Sequence, residues 1–418
     1  MQTAGQDKAN LNFRLGVYNG ILVNGAEAFF HTNLVLAPFL ATLGAPAIVI
    51  GFIPALRIGS WFLPQLFVAS RLSHEPLKLP WYRRSALVRI VAYAIMVATI
   101  FIFPERLNLI MIVVLCAIGV VSIAAGISGI PFADVTAKVV PHYRLGTYWA
   151  LRNTIGGVLA LGAGLLLRRL LSGDVPFPLN FGYIFTAGAV LSGAAYLMFC
   201  LIREPAGKPT TKQPLRSMVR QVPTLLNENP SFRRYVRVRF LALLAVLADP
   251  FYAIYALRVL EAPATSLGLF VILSTTASIA ANLLFRRPAN RGQNVTVLQI
   301  GIALLLSASV CAFFAPRWEL FSLVFMLSAA GQAGMGIAAW NLLYAVSPEA
   351  QRPLYVGAAN SLLFLPSFAP IFAGGLVDLL GFRPTFVLAA MIAATALSFA
   401  FRFRELKALD ARALRATD

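Results

Sequence analysis

The sequence predicts an all-α membrane protein, with twelve transmembrane helices in two pseudo-symmetric six-helix bundles. Three observations lead there. Twelve stretches stay apolar for the length of a membrane crossing, basic residues gather on alternate connections, and parts of the first half recur in the second. Composition names the solvent: 59% of the 418 residues are hydrophobic and 12% charged, against about 25% charged in an ordinary soluble domain. A mean hydropathy of +0.77 argues that most of the surface meets lipid.

Crossing about 30 Å of hydrocarbon takes about 20 mostly apolar residues. That ruler places spans at 15–41, 45–70, 84–104, 107–132, 146–172 and 180–202, then at 236–259, 265–285, 294–315, 319–346, 353–379 and 383–402. Pro54, Pro64, Pro366 and Pro370 fall inside spans, which membrane helices tolerate when neighbours satisfy the freed carbonyls. The opening MQTAGQDKANLNFR is polar and lacks the basic start and cleavage site of a secretory signal, so the first span is expected to stay in the mature protein. Cys116, Cys200 and Cys311 lie in apolar stretches and read as small hydrophobic fillers, with no disulfide or metal-ligand spacing.

Lys and Arg favour the cytoplasmic side. With the N-terminus there, segments 71–84, 138–144, 203–239 and 286–291, Arg352 and the tail from Arg402 all fall on that side. Only Arg106, Arg168, Arg169, Arg258, Arg317 and Arg383 fall opposite, and Arg57 lies within the membrane. Both termini are therefore expected in the cytoplasm. The net charge of +19 is then a matter of topology. Nucleic-acid binding is excluded, because no soluble stretch is long enough for a groove-reading surface.

The organisation follows as an N-terminal bundle (1–202), a cytoplasmic linker (203–235), a C-terminal bundle (236–402) and a cytoplasmic tail (403–418). Within the linker, Leu215, Met218, Val219, Val222, Leu225 and Leu226 recur at helical spacing, as in an amphipathic helix lying on the membrane surface. Asn10-Leu-Asn-Phe-Arg14 before the first bundle resembles Asn229-Pro-Ser-Phe-Arg233 before the second. Residues 129–153 match 336–360 without a gap, pairing Gly129 with Gly336, Asp134 with Asn341, Pro141 with Pro348 and Asn153 with Asn360. Duplicated six-helix halves are one way secondary transporters are built, with substrate held near the midplane.

Charges at membrane depth are expensive and must find a partner or water. Glu27 and His31 in span 1, Arg57 in span 2 and Asp249 in span 7 are the candidates. Asn24, Glu27 and His31, at i, i+3 and i+7, share one helical stripe. Glu27, Arg57 and Asp249 all lie about 18 to 20 Å from the cytoplasmic ends of helices rising about 1.5 Å per residue. Glu27 and Arg57 could form a fixed bridge between neighbouring helices, or Glu27 or Asp249 could exchange a proton, or Arg57 could meet an anionic group. His31 reads either as a hydrogen-bonded cavity residue or as a proton relay. Gln332 and Trp340 can share a face in span 10, with Asn341 beside them and Asn282 on span 8; helix packing is the plainer reading. Asp134 and Arg152 lie nearer the cytoplasmic ends and read as loop anchors.

With these features on the page, the chain resembles the major facilitator superfamily over nearly its whole length. In that family the 2–3 loop carries a Gly, an Asp-Arg and a basic pair that gate the cytoplasmic side. Here Arg71, Arg83 and Arg84 stand near the basic positions, but the Gly and Asp are missing. The counterpart loop at 283–293 keeps Arg286, Arg287 and Arg291. Gly156, Gly157, Gly162 and Gly164 resemble the family's antiporter motif without its Pro. Segment IPFADVTAKVVPHYRLG, which carries Asp134 and Arg144, is similar to a widespread bacterial branch.

The resemblance implies spans 1, 4, 7 and 10 around a central cavity, a monomer in the bacterial cytoplasmic membrane, and rocking alternating access that moves a small solute, inward or as efflux. The sparse charge of the spans favours a hydrophobic or amphipathic solute, and protons are a candidate coupling ion. The alternative is a non-transporting membrane scaffold on the same fold, motivated by the missing loop Gly and Asp. Enzymatic chemistry finds no support, since no paired carboxylates, nucleophile motif, phosphate loop, metal cluster or cofactor motif stands out.

Overall fold

Backbone polar groups in hydrocarbon must be satisfied within their own segment, which leaves helices as the local solution for apolar stretches. The computed structural model describes residues 2–62, 64, 68, 75–141, 144–206, 215–348 and 352–402, and every regular element among them is helical. In order these are α1 (Gln2–Phe29), a π-helical turn (Thr32–Leu36), α2 (Ala37–Thr42), α3 (Ala47–Phe62), α4 (Leu79–Ile102), α5 (Leu107–Val139), α6 (Leu145–Leu171) and α7 (Leu179–Cys200). The linker holds α8 (Leu215–Glu228). Then come α9 (Pro230–Leu244), a 3₁₀ turn (Ala245–Ala248), α10 (Asp249–Arg258), α11 (Ser266–Asn290), α12 (Asn294–Phe314) and α13 (Trp318–Val346). The chain closes with α14 (Arg352–Leu363), a second 3₁₀ turn (Leu365–Phe368), α15 (Ala369–Leu380) and α16 (Phe382–Phe401).

Among the described residues, ten helical segments are long and apolar enough to cross a membrane. The expected first and second spans are not among them. α1 opens on polar residues and stops at Phe29, so its apolar length is divided between α1, the π turn and α2. α3 has 16 residues, short of a full crossing. The tail at 403–418 and Arg71 lie outside the described residues.

Three expected spans are broken rather than continuous, and each break precedes a proline. A proline cannot donate to the carbonyl four residues back and its ring crowds that carbonyl. The π turn comes before Pro38, the Ala245–Ala248 turn before Pro250, and the Leu365–Phe368 turn before Pro370. The first break overturns the single stripe expected for span 1: His31 lies outside the helix that carries Asn24 and Glu27. The expected 283–293 loop is also shorter, since α11 continues to Asn290.

By its contacts the chain divides into two units. The first comprises Met1–Ala45, Leu56–Gln213 and Ala264–Ile272, the second Pro46–Ala55, Pro214–Pro263 and Leu273–Asp418. In the first, Phe30 stacks on Tyr93 with ring centroids 4.5 Å apart, and Gly188 leaves the room that Phe30 occupies. In the second, Tyr252, Tyr255, Phe321 and Phe386 form a buried aromatic group between α10, α13 and α16, and Asp378 caps α3 by accepting from the Ala47 and Ile48 amides at 3.0 and 3.1 Å. The outside is as apolar as the core: Leu284, Phe372 and Leu379 are 73%, 78% and 83% exposed. Cys116 is exposed as well, and Cys200 and Cys311 are half-buried.

Lipid tails are as apolar as leucine, so close backbone approach, rather than the hydrophobic effect, holds membrane helices together. Gly301 of α12 and Gly331 of α13 meet in this way, and a Cβ on Gly331 would stand 2.7 Å from the Gly301 carbonyl oxygen. Gly331→Ala is therefore expected to destabilise the second unit by about 1 to 3 kcal/mol. Gly336→Ala, where a Cβ meets nothing within 4 Å, should leave the thermal unfolding midpoint in detergent unchanged or raise it. Equal midpoints for both variants would refute the close approach.

Candidate functional site

In the first unit the site begins where α1 ends. The interruption leaves the Phe30 carbonyl without its helical donor, and Arg57 of α3 supplies one through Nη1 at 3.0 Å, while also donating to Thr32 Oγ1 at 2.8 Å. Its Nη2 reaches both Glu27 carboxylate oxygens, at 2.8 and 3.1 Å. Arg57 is thus pinned on two sides, whereas the Glu27 side chain remains 52% exposed. His31 Nδ1 accepts from the Leu34 amide at 3.3 Å, which caps the π turn. Asn24 donates to the Arg152 carbonyl oxygen at 2.9 Å and reaches Asn153 Oδ1 at 3.5 Å, joining α1 to α6.

A cavity of about 660 Å³ opens beside the Glu27–Arg57 pair. Its wall comes from residues of α1, the π turn, the C-terminal part of α3, α4, α5, α6 and α7, all of them in the first unit, and includes Arg57, Arg89, Arg152, Tyr82, Tyr93 and Tyr196. Arg152 is not the loop anchor expected. It is buried and donates to the Gly16 carbonyl, to Asn19 Oδ1 at 3.1 Å and to Tyr148 Oη at 3.0 Å. Arg89 is not among the sequence candidates because it stands near the start of the expected third span, 84–104, rather than at its middle. The test applied to Arg57, that a charge within a span needs a partner, would have found it.

At one end of this unit, Asp134 bridges Lys78 and Lys138 at 2.7 and 2.6 Å, and Lys138 also reaches Glu204 at 2.8 Å. Glu204 accepts from the Lys78 and Leu79 amides and so caps α4. Arg83 donates to the Cys200 carbonyl oxygen at 2.8 Å, Arg84 is exposed, and Arg144 donates to Asn10 Oδ1 at 2.9 Å with its guanidinium 3.9 Å over the Phe13 ring. Lys78, Lys138 and Glu204 were not anticipated, since they become neighbours only when the 75–79 segment, α5 and the end of α7 fold together.

The second unit holds Asp249 at the first position of α10, directly after the 3₁₀ turn. It is 6% exposed, and its Oδ2 accepts from Ser328 Oγ at 2.9 Å and Gln332 Nε2 at 2.7 Å. No cation pairs with it among the described residues. Gln332, Gly336 and Trp340 are exposed along one face of α13. Asn341 donates to Asn294 Oδ1 at 2.8 Å, and Asn282 donates to the Ser278 carbonyl within its own helix. Arg286 and Arg287 are exposed on the last turns of α11. One contact occurs in both units at positions matched by the repeated segments: Phe13 meets Tyr148 edge-on at 5.8 Å, and Phe232 meets Tyr355 at 4.8 Å.

Lipid-facing helices around ionisable groups placed at helix breaks define a multi-pass membrane protein with a transporter fold. The family model of the Major Facilitator Superfamily matches residues 240–416. The whole-length fold agrees. A mutant form of the nucleoside transporter NupG superposes with a TM-score of 0.72 at 13% identity, covering 95% of this chain and 100% of that one. A bacterial homologue of the iron transporter ferroportin in an inward-facing state gives 0.70 at 14% identity, covering 94% and 98%. An autoinhibited peptide transporter of the POT family gives 0.69 at 13%, covering 96% of each. Over residues 240–416 the chain is thus similar to the Major Facilitator Superfamily, and over its length it shares the fold of these solved transporters. Uncharacterized proteins of Mycobacterium tuberculosis and Mycobacterium bovis are each 24% identical over 260 residues, which is 60% of this chain. The match spans 50% of those relatives' length.

The geometry of the Arg57 anchor yields an ordering of variants. Arg57→Gln removes the donor to Phe30 and strands Glu27, so it is expected to lower stability by about 2 to 4 kcal/mol, toward the range seen when one member of a buried pair is lost. Glu27→Gln leaves both other Arg57 bonds in place and replaces a half-exposed group, so its loss should stay near or below about 1 kcal/mol. Thermal unfolding in detergent checks the order, and a Glu27→Gln variant less stable than Arg57→Gln would refute it.

Proposed function

We propose that this chain is a secondary transporter whose twelve spans form two six-helix halves that alternate access by rocking, and that it moves a small hydrophobic or amphipathic solute with protons as the coupling ion. Both termini are placed in the cytoplasm and the chain in a bacterial cytoplasmic membrane, as the basic segments suggest. The observation that carries the reading is Asp249. A carboxylate at membrane depth marks a transport or proton pathway by default, and this one is buried at a helix break with neutral partners. The Ser328 hydroxyl can donate to the carboxylate or accept from the acid, so the cluster accommodates the group with or without its proton.

Of the two acids, Asp249 is the stronger candidate for the coupling group. Glu27 is held by a guanidinium that is itself anchored to Phe30 and Thr32, which favours a standing bridge. The scaffold alternative rested on the Gly and Asp missing from the 2–3 loop. The Lys78–Asp134–Lys138–Glu204 cluster supplies other anchoring residues at that end, so the absence loses its weight.

In proteoliposomes carrying an imposed proton gradient, Asp249→Asn is expected to abolish concentrative uptake of a transported solute while leaving downhill exchange measurable. Glu27→Gln should keep at least about a third of the gradient-driven accumulation. Full accumulation by Asp249→Asn would exclude proton coupling at this residue, and absence of any solute movement by the wild-type protein across a broad solute panel would exclude transport.

A further inference from the structure

Arg89 is the buried charge that neither the fold nor the coupling reading uses. It is 6% exposed on α4 and lines the 660 Å³ cavity of the first unit. Its guanidinium lies 3.8 Å over the Tyr196 ring and 5.4 Å from that of Tyr82. Its Nε makes a long bond of 3.4 Å to the Ser85 carbonyl oxygen, and its Nη2 meets no acceptor. Arg152, across the same cavity, turns Nη1 toward a carbonyl, an amide oxygen and a phenol. Neither arginine forms an ion pair among the described residues.

The cavity thus holds three guanidinium groups and the single carboxylate of Glu27, which Arg57 already engages. Burying a charge is costly unless it is paired and hydrogen-bonded, and here the missing partner is an anion. Between the charges the wall is aromatic and aliphatic, with Trp61, Phe132, Ile58 and Val121 beside the tyrosines. The volume falls within the range of about 300 to 1,000 Å³ that suits a small organic ligand.

We propose that this cavity is a binding site for an organic monocarboxylate with an apolar or aromatic body, whose carboxylate accepts from Arg89 Nη2 and whose body lies against the ring-lined wall. A monocarboxylate with an apolar body suits the site better than a phosphate, because the ring-lined wall around Arg89 is covered by an organic body and left bare by an inorganic anion. The site lies within the first unit alone, so the inference deepens the proposed solute class without depending on movement of that solute.

The test is binding by the full chain in phosphatidylcholine nanodiscs, read as the thermal midpoint and as quenching of tryptophan fluorescence, to which Trp61 in the cavity wall contributes. The probes are 1-naphthoate, its neutral isostere 1-naphthamide, and inorganic phosphate. Naphthoate is expected to raise the midpoint by several degrees, as a ligand selective for the folded state does, while naphthamide and phosphate leave it in place. Arg89→Gln should weaken naphthoate binding at least about tenfold, and Arg89→Lys should recover part of it. Should Arg89→Gln fail to fold, Ala125→Leu, which fills the cavity without touching charge, should weaken binding to the same degree.

Equal binding of naphthoate and naphthamide, undiminished binding by folded Arg89→Gln, or no response to naphthoate would overturn the site. So would displacement of naphthoate by phosphate or by phosphatidylglycerol in the disc, which would make the occupant a phosphate or an anionic lipid. Because binding is read without transport, loss of solute movement with naphthoate binding intact would bear on the transport reading alone.

Discussion

A helix interrupted inside a membrane must have its carbonyls satisfied by something other than water, and much of the first unit is arranged around one such carbonyl. The helix stops at Phe29, the chain passes through a π turn before Pro38, and the Leu34 amide donates to His31 Nδ1 rather than to Phe30, which is left with an open acceptor. Arg57 fills it and brings a positive charge to membrane depth, where Glu27 balances it. The ion pair is therefore a consequence of the break. In hydrocarbon this ordering is forced, since an unsatisfied backbone group there costs several kcal/mol. The Phe30 side chain, turned onto Tyr93 and Phe185, fixes the same corner from the apolar side.

The second unit meets the same constraint with different chemistry. Its break before Pro250 is taken up by a 3₁₀ turn, and an acid rather than an arginine stands beside it. Asp249 is held by a hydroxyl and an amide, both neutral. A residue held that way tolerates a change of proton count better than one locked to a guanidinium, because no ion pair has to be broken. The two breaks thus differ in their partners: one is accompanied by an ion pair, the other by a neutral hydrogen-bond cluster around an acid.

The fold class was legible because it depends on quantities that add along the chain. Hydropathy over about 20 residues survives local irregularity, and it carried the all-helical, multi-pass character of the chain. The breaks were less legible, since Pro54 lies within helix α3 while Pro38, Pro250 and Pro370 stand just after irregular turns, and the local sequences do not separate these cases. Candidate residues followed the same division. Glu27, Arg57 and Asp249 stood out because each is charged in the middle of an apolar run. Lys78, Lys138 and Glu204 did not, because their significance comes from contacts between residues 56 and 66 positions apart in the chain. His31 was legible as polar and misplaced as cavity-lining, because its ring serves the backbone of its own turn.

Arg89 shows why position along a helix is a weaker guide than burial. Near the end of a membrane span, an arginine usually extends its head group to the interface, where its charge costs little. Arg89 instead turns inward, because Tyr196 and Tyr82 offer their faces to its guanidinium and the cavity behind them has room. Aromatic faces stabilise a cation without supplying an acceptor, so stacking alone leaves the donor edge incomplete. Water can complete it, but water gains nothing from the apolar remainder of the wall. An anion with an apolar body would satisfy both parts, and that pairing of an open donor with an aromatic enclosure distinguishes Arg89 from Arg57, whose guanidinium is already engaged by Glu27 in the same cavity.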